Sequence, residues 1–162
     1  KIIFPLEILG AVSVGAALYH AFTSLAILLT FEIIALHHIP LTTLLIPLVW
    51  LPLLFGCLAI SWLLSALGVF LRDLGQLIGV VVSMLMFMSA VFYPLSALPE
   101  SLQPILGLNP LVVVIEQSRR IMIQGELPNW DYVLFGAPLM LIICELSYRI
   151  FMRARRGFAD VL

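Results

Sequence analysis

Charge is what this sequence is short of: of 162 residues only 10% are Asp, Glu, Lys or Arg, against 63% hydrophobic. That ratio excludes an ordinary soluble globule, which at this length could not bury so much apolar surface. It makes lipid the expected solvent. The net charge is -1 and no basic run is interleaved with aromatics, so no nucleic-acid partner is expected. Cysteine is scarce as well. Cys57 and Cys144 lie far apart inside apolar runs, a spacing that suits neither a disulfide framework nor a metal site, and both read as small buried hydrophobes. A phosphate-cradling Gly-x-x-x-x-Gly-Lys-Ser/Thr loop is missing, so any nucleotide chemistry belongs to another chain. No Ser/His/Asp set or metal cluster is visible, and no catalytic or metal-binding residue is assigned. Glu100, Glu116 and Glu126 carry no pattern that orients two of them toward one substrate.

What the sequence does contain is uncharged stretches long enough to cross a hydrocarbon core of about 20 helical residues. They predict an all-α, polytopic transmembrane bundle forming one domain over residues 1–162, with spans at about 9–34, 41–71, 77–91 and 131–152. The first run is too long for a secretory signal peptide. Because the chain opens on Lys1 and not on Met, a processed, truncated or fragmentary sequence is one expectation. The first span carries Gly10, Gly15, Ala16, Ala17, Ala21, Ser24 and Ala26, small residues that let a neighbouring helix approach closely. His20, at mid-depth beside Tyr19, is expected to turn into the bundle as a hydrogen-bonded structural histidine, with a proton relay as the competing reading.

Between Phe92 and Asp131 five prolines, with Gly107, Asn109 and Gly125, interrupt any continuous span. Two short re-entrant or interfacial helices fit this outer segment, 92–130. Pro99 suits the first position of one and Gly107 its end; Asn109 caps the other, Pro110 starts it and Gly125 stops it. Four spans put both termini on one side, and the positive-inside rule makes that side cytoplasmic. Lys1, Arg72, Arg149, Arg153, Arg155 and Arg156 then lie inside, in loops and the tail 153–162, against Arg119 and Arg120 outside. Glu145 and Arg149, at i,i+4, can pair within the last span.

Four segments, in order, carry a resemblance. Val69 to Gln76 (VFLRDLGQ), Val91 to Pro99 (VFYPLSALP), Leu108 to Leu111 (LNPL) and Gly157 to Leu162 (GFADVL) together resemble ABC-2 type transporter permeases. The branch they resemble is that of O-antigen, capsule and teichoic-acid exporters. The resemblance implies six spans after an interfacial helix, of which this chain would supply the last four. It further implies a bacterial inner-membrane permease that works as a homodimer with a separate ABC ATPase subunit, where ATP and Mg are bound; no cofactor is expected on this chain. The substrate it implies is a lipid-linked glycan. Phe4, Pro5 and Glu7 resemble the edge of the coupling region that touches the ATPase, and Arg72 and Asp73 would lie at the same level; interfacial anchoring is the competing reading for that pair. Phe87, Phe92 and Tyr93 would line the conduit near its exit, since ring faces stack on sugars, with plain packing as the alternative. Arg119 and Arg120 would hold an acidic group of the emerging substrate, or anchor their helix at headgroups. An ABC-2 drug or small-lipid exporter, and a membrane scaffold or remnant that does not transport, stay open.

Overall fold

A computed structural model describes residues 7–71, 73–89, 91–93, 95–101, 103–107, 109–155 and 157. It is all helical among these residues: α1 (Glu7–Leu36), α2 (Ile46–Phe70), α3 (Leu74–Met88), α4 (Gln103–Gly107), α5 (Pro110–Arg119) and α6 (Trp130–Ala154). Two short 3-10 helices, Leu41–Leu45 and Leu95–Ala97, and one π-helical turn, Arg120–Gln124, connect them. The segments Glu7–Ala35, Leu41–Phe70 and Trp130–Ala154 are long and apolar enough to cross a membrane. α3 has 15 residues, about 22 Å of helix against a hydrocarbon core of about 30 Å. It begins and ends three residues earlier than the expected span at 77–91.

The bundle is built on α2 and α6, which run parallel. At their starts Tyr132 donates to the Val49 carbonyl (3.4 Å), and Ile46, Val49 and Val133 share a buried cluster with Ile121 and Met122. At their ends Ala66 packs with Phe151. Small residues set the close approach: a Cβ on Gly136 would stand 3.7 Å from Pro52 Cγ, and one on Gly56 3.8 Å from Met140 Sδ. Pro52 lies inside α2 and removes one amide from its ladder; the Tyr132 hydroxyl reaches the backbone just there.

α1 runs antiparallel to α2 and touches it along one seam. Glu7, Gly10, Val14, Leu18, Ala21, Leu25, Leu29 and Glu32 are its half-buried or buried positions among the described side chains, spaced by three and four residues as a single helical stripe requires. Gly10 is the tightest point, where a Cβ would meet Ser61 Oγ at 3.0 Å and Trp62 at 3.2 Å. Of the other small residues expected to pack, Ala21 is on the seam, whereas Gly15, Ala16, Ala17, Ser24 and Ala26 face outward. His20 is also exposed, its ring edge-on to Tyr19 at 5.9 Å. The expectation that it turns into the bundle does not hold in the single chain, because the seam passes through Leu18 and Ala21. Cys144 is buried and Cys57 exposed, so only one of the two fills the role of a buried hydrophobe.

Two parallel helices in sequence oblige the chain to return between them, and residues 73–129 make that return. α1 ends at His37, whose φ of 57° and amide bond to the Ile33 carbonyl (2.9 Å) form a left-handed stop. At the other end of the return, Gly125 (φ 68°) closes the π-turn against Pro40, 3.5 Å from where its Cβ would be. The Thr42 hydroxyl donates to the Ile121 carbonyl (2.6 Å), clamping the π-turn to the start of the second apolar segment. α4 begins at Gln103 and not at Pro99.

Candidate functional site

The chemistry-bearing residues gather at the two ends of the bundle. At the first, α1 opens with Glu7, and α6 brings Arg155 to it across 148 positions of sequence, at 2.6 Å. The Glu7 carbonyl also accepts from Trp62 Nε1 (3.0 Å), and Trp62 meets Tyr148 edge to face, centroids 5.0 Å apart. One α1 residue is therefore tied to α2 and α6 together, through a partly buried charged contact that outlasts an exposed ion pair. Asp73 lies at the same end and is exposed. Its carbonyl receives the Gln76 and Leu77 amides (3.2 and 3.4 Å), while its side chain caps nothing. Of the expected coupling set, Phe4, Pro5 and Arg72 lie outside the described residues.

The second end holds the expected exit residues, and the structure brings four of the five together. Phe87 and Phe92 sit with centroids 6.4 Å apart and both are exposed. The Tyr93 hydroxyl donates back to the Phe87 carbonyl (3.0 Å). Arg119 reaches this turn from α5: Nη1 donates to the Tyr93 carbonyl (3.1 Å) and to Glu116 Oε1 (3.0 Å), and Nη2 to the Val91 carbonyl (2.9 Å). Glu116 Oε1 accepts the Leu95 amide as well (2.9 Å). A guanidinium and a carboxylate one turn apart thus hold the backbone that follows α3. Asn109 caps α5 through the Leu111 amide (3.0 Å) and offers its own amide to the Met88 carbonyl (3.5 Å). Arg120, the fifth, points elsewhere and pairs with Glu126 (2.9 Å).

Arg119 therefore acts here, with Glu116, as a fastener of the backbone at Val91, Tyr93 and Leu95. Glu116 and Asn109, absent from the expected site, complete the fastener. Their signals were in the sequence, the i,i+3 spacing to Arg119 and the Asn-Pro cap, but nothing there showed that both would reach the segment after α3. Trp62 and Arg155 gave no such signal. Among the described residues no group of three or more His, Cys, Asp or Glu could hold a metal ion.

Residues 1–123 match the family profile described as ABC-2 type transporter. The chain belongs to that family. This ABC-2 chain is 27% identical over 162 residues, 99% of its length, to the O-antigen export system permease protein RfbA of Myxococcus xanthus. It is 27% identical over 119 residues to a protein of the same name from Klebsiella pneumoniae, and 25% over 117 residues to another from that organism. The chain spans 62% of the length of the first and 45% of the Klebsiella relatives.

Proposed function

We propose that the chain forms part of the permease of an ATP-driven exporter that moves lipid-linked polysaccharide across a bacterial inner membrane. The observation that carries this reading is the likeness to an O-antigen export permease along 99% of the chain. The geometry supports it in three ways. Two ends of opposite character are joined by apolar helices, as a conduit subunit requires. The Glu7–Arg155 end, with Arg149 and Arg153 on the same helix, is the more basic and is the cytoplasmic end by the positive-inside rule. There Glu7 and Asp73 face the ATPase subunit that binds ATP and Mg, and Phe4, Pro5 and Arg72 are assigned to the same contact by their place in the sequence alone. α3 buries none of its residues in the single chain, and a second copy would cover it, forming a homodimer whose interface is the conduit.

In this scheme the exposed rings of Phe87 and Phe92, fixed by Tyr93 and Arg119, stand at the exit. Closure of the ATPases moves the Glu7 end of α1, and the movement passes to α6 through Arg155 and to α2 through Trp62. The test is reconstitution of the permease with its ATPase in vesicles. Undecaprenyl-linked glycan is expected to stimulate ATP hydrolysis, and drugs or short-chain lipids are not. Stimulation by drugs alone would move the protein to the drug-exporter branch. Failure to copurify with any ATPase subunit would make it a scaffold.

A further inference from the structure

Arg149 lies 68% exposed on α6, a helix otherwise apolar enough to cross the membrane. Its Nε donates to Glu145 Oε1 at 2.7 Å, and its two terminal nitrogens donate to nothing among the described residues. Glu145 thus holds the guanidinium by one edge and leaves the outer fork open. One turn on, about 6 Å along the axis, Arg153 is exposed on the same face, in the last turn of α6 and without an ion pair among the described residues. Arg155, by contrast, is taken up by Glu7. Inward from Arg149 runs an open groove of about 330 Å³ lined by Leu141, Ile142, Glu145, Leu146 and Arg149.

We infer that this stripe binds the phosphate headgroup of an anionic phospholipid of the surrounding bilayer, with one acyl chain lying along the groove. Charge complementarity selects the headgroup. After Glu145 is subtracted the stripe keeps one net positive charge and two guanidiniums spaced to grip one phosphate, which Arg does through paired N–H bonds. The groove selects a lipid over a soluble anion, because the apolar lining is continuous with the exposed side chains Ile142 and Leu146. A charged pair facing lipid without such a partner would be costly to keep. Glu145 is a positioning residue; Arg149 and Arg153 make the contact. The site requires neither transport nor an ATPase.

The test is native mass spectrometry of the chain released from phosphatidylcholine nanodiscs doped with phosphatidylglycerol. Phosphatidylglycerol is expected to be retained several-fold above its share of the bilayer. The double variant Arg149→Gln, Arg153→Gln should bring retention down to the share of phosphatidylglycerol in the bilayer, Arg149→Lys with Arg153→Lys should keep a measurable part of the enrichment, and Arg120→Gln at the far end should change nothing. Wild-type chain that retains both lipids in proportion to the bilayer overturns the site, as does a double Gln variant that retains phosphatidylglycerol unchanged. So does competition in which undecaprenyl pyrophosphate displaces phosphatidylglycerol at equal concentration, since the stripe would then belong to the glycan carrier.

Discussion

Glu32 is the residue whose surroundings least suit it. It lies on the α1 seam, 9% exposed, and neither carboxyl oxygen meets a donor. The sequence places it at the closing boundary of the first span, because a charged residue ordinarily marks an interface. The helix instead continues to Leu36, and the i,i+3 step from Leu29 carries Glu32 into the packed stripe. An apolar side chain of similar length would fill the space without an unmet polar group. Glu32→Met is expected to stabilise the chain by about 1–3 kcal/mol, seen as a higher midpoint in thermal unfolding in detergent. A lower midpoint would mean that a water molecule or a neighbouring polar group serves the carboxyl. Arg119 is the opposite case, with N–H groups spent on the Val91 and Tyr93 carbonyls and on Glu116. Arg119→Gln should cost about 1.5–3 kcal/mol and speed hydrogen exchange of the Leu95 amide, which depends on Glu116. Arg119→Lys should not restore protection, because one ammonium cannot span both carbonyls. Protection equal to wild type in either variant would refute the fastening role.

Among the helices, legibility follows the solvent. Three long helices could be read from apolar runs alone, since lipid demands them. Which side of each helix packs could not be read, because a lipid-facing and a protein-facing surface are equally apolar. Small residues were the available guide along α1, and they pointed correctly at Gly10 and Ala21 but equally at Gly15, Ala16 and Ala17, which face outward. Local chemistry was legible: Asn109 and Pro110 start α5 and Gly125 stops the turn after it. The π-turn was not, since the hydroxyl that clamps it belongs to Thr42, 79 positions away from the carbonyl it bonds. Two comparisons test these elements. Gly10→Val places methyl groups against Ser61 and Trp62 and should cost about 1–3 kcal/mol by forcing α1 from α2, whereas Gly15→Val, with open space around it, should leave the unfolding free energy within about 0.5 kcal/mol of wild type. Equal effects would place the α1 contact on another face. Thr42→Val should lower stability by about 1–3 kcal/mol by leaving the Ile121 carbonyl unmet.

For the whole molecule, the fold and the charge distribution make separate statements about the membrane. Packing alone puts Leu41 and Glu126 at one end of the bundle, through Gly125 on Pro40, and Asp73 and Gly157 at the other, through Ala66 on Phe151. Which end is cytoplasmic comes only from charge. Arg149, Arg153 and Arg155 crowd the end of α6, where Glu145 and Glu7 take up two of the three, while at the opposite end Arg119 and Arg120 are both matched, by Glu116 and Glu126. Single cysteines at these four positions, in a chain with Cys57 and Cys144 replaced by Ala, separate the two statements. In right-side-out bacterial vesicles a membrane-impermeant maleimide is expected to label Leu41→Cys and Glu126→Cys, and to reach Asp73→Cys and Gly157→Cys only after lysis. The reverse pattern would keep the bundle and invert it, which removes the Glu7 end from any cytoplasmic ATPase. Labelling that split Leu41 from Glu126 would go further, because α2 and α6 could not then run parallel and the fastener joining α5 to the end of α3 would have to stand on the wrong side of the membrane.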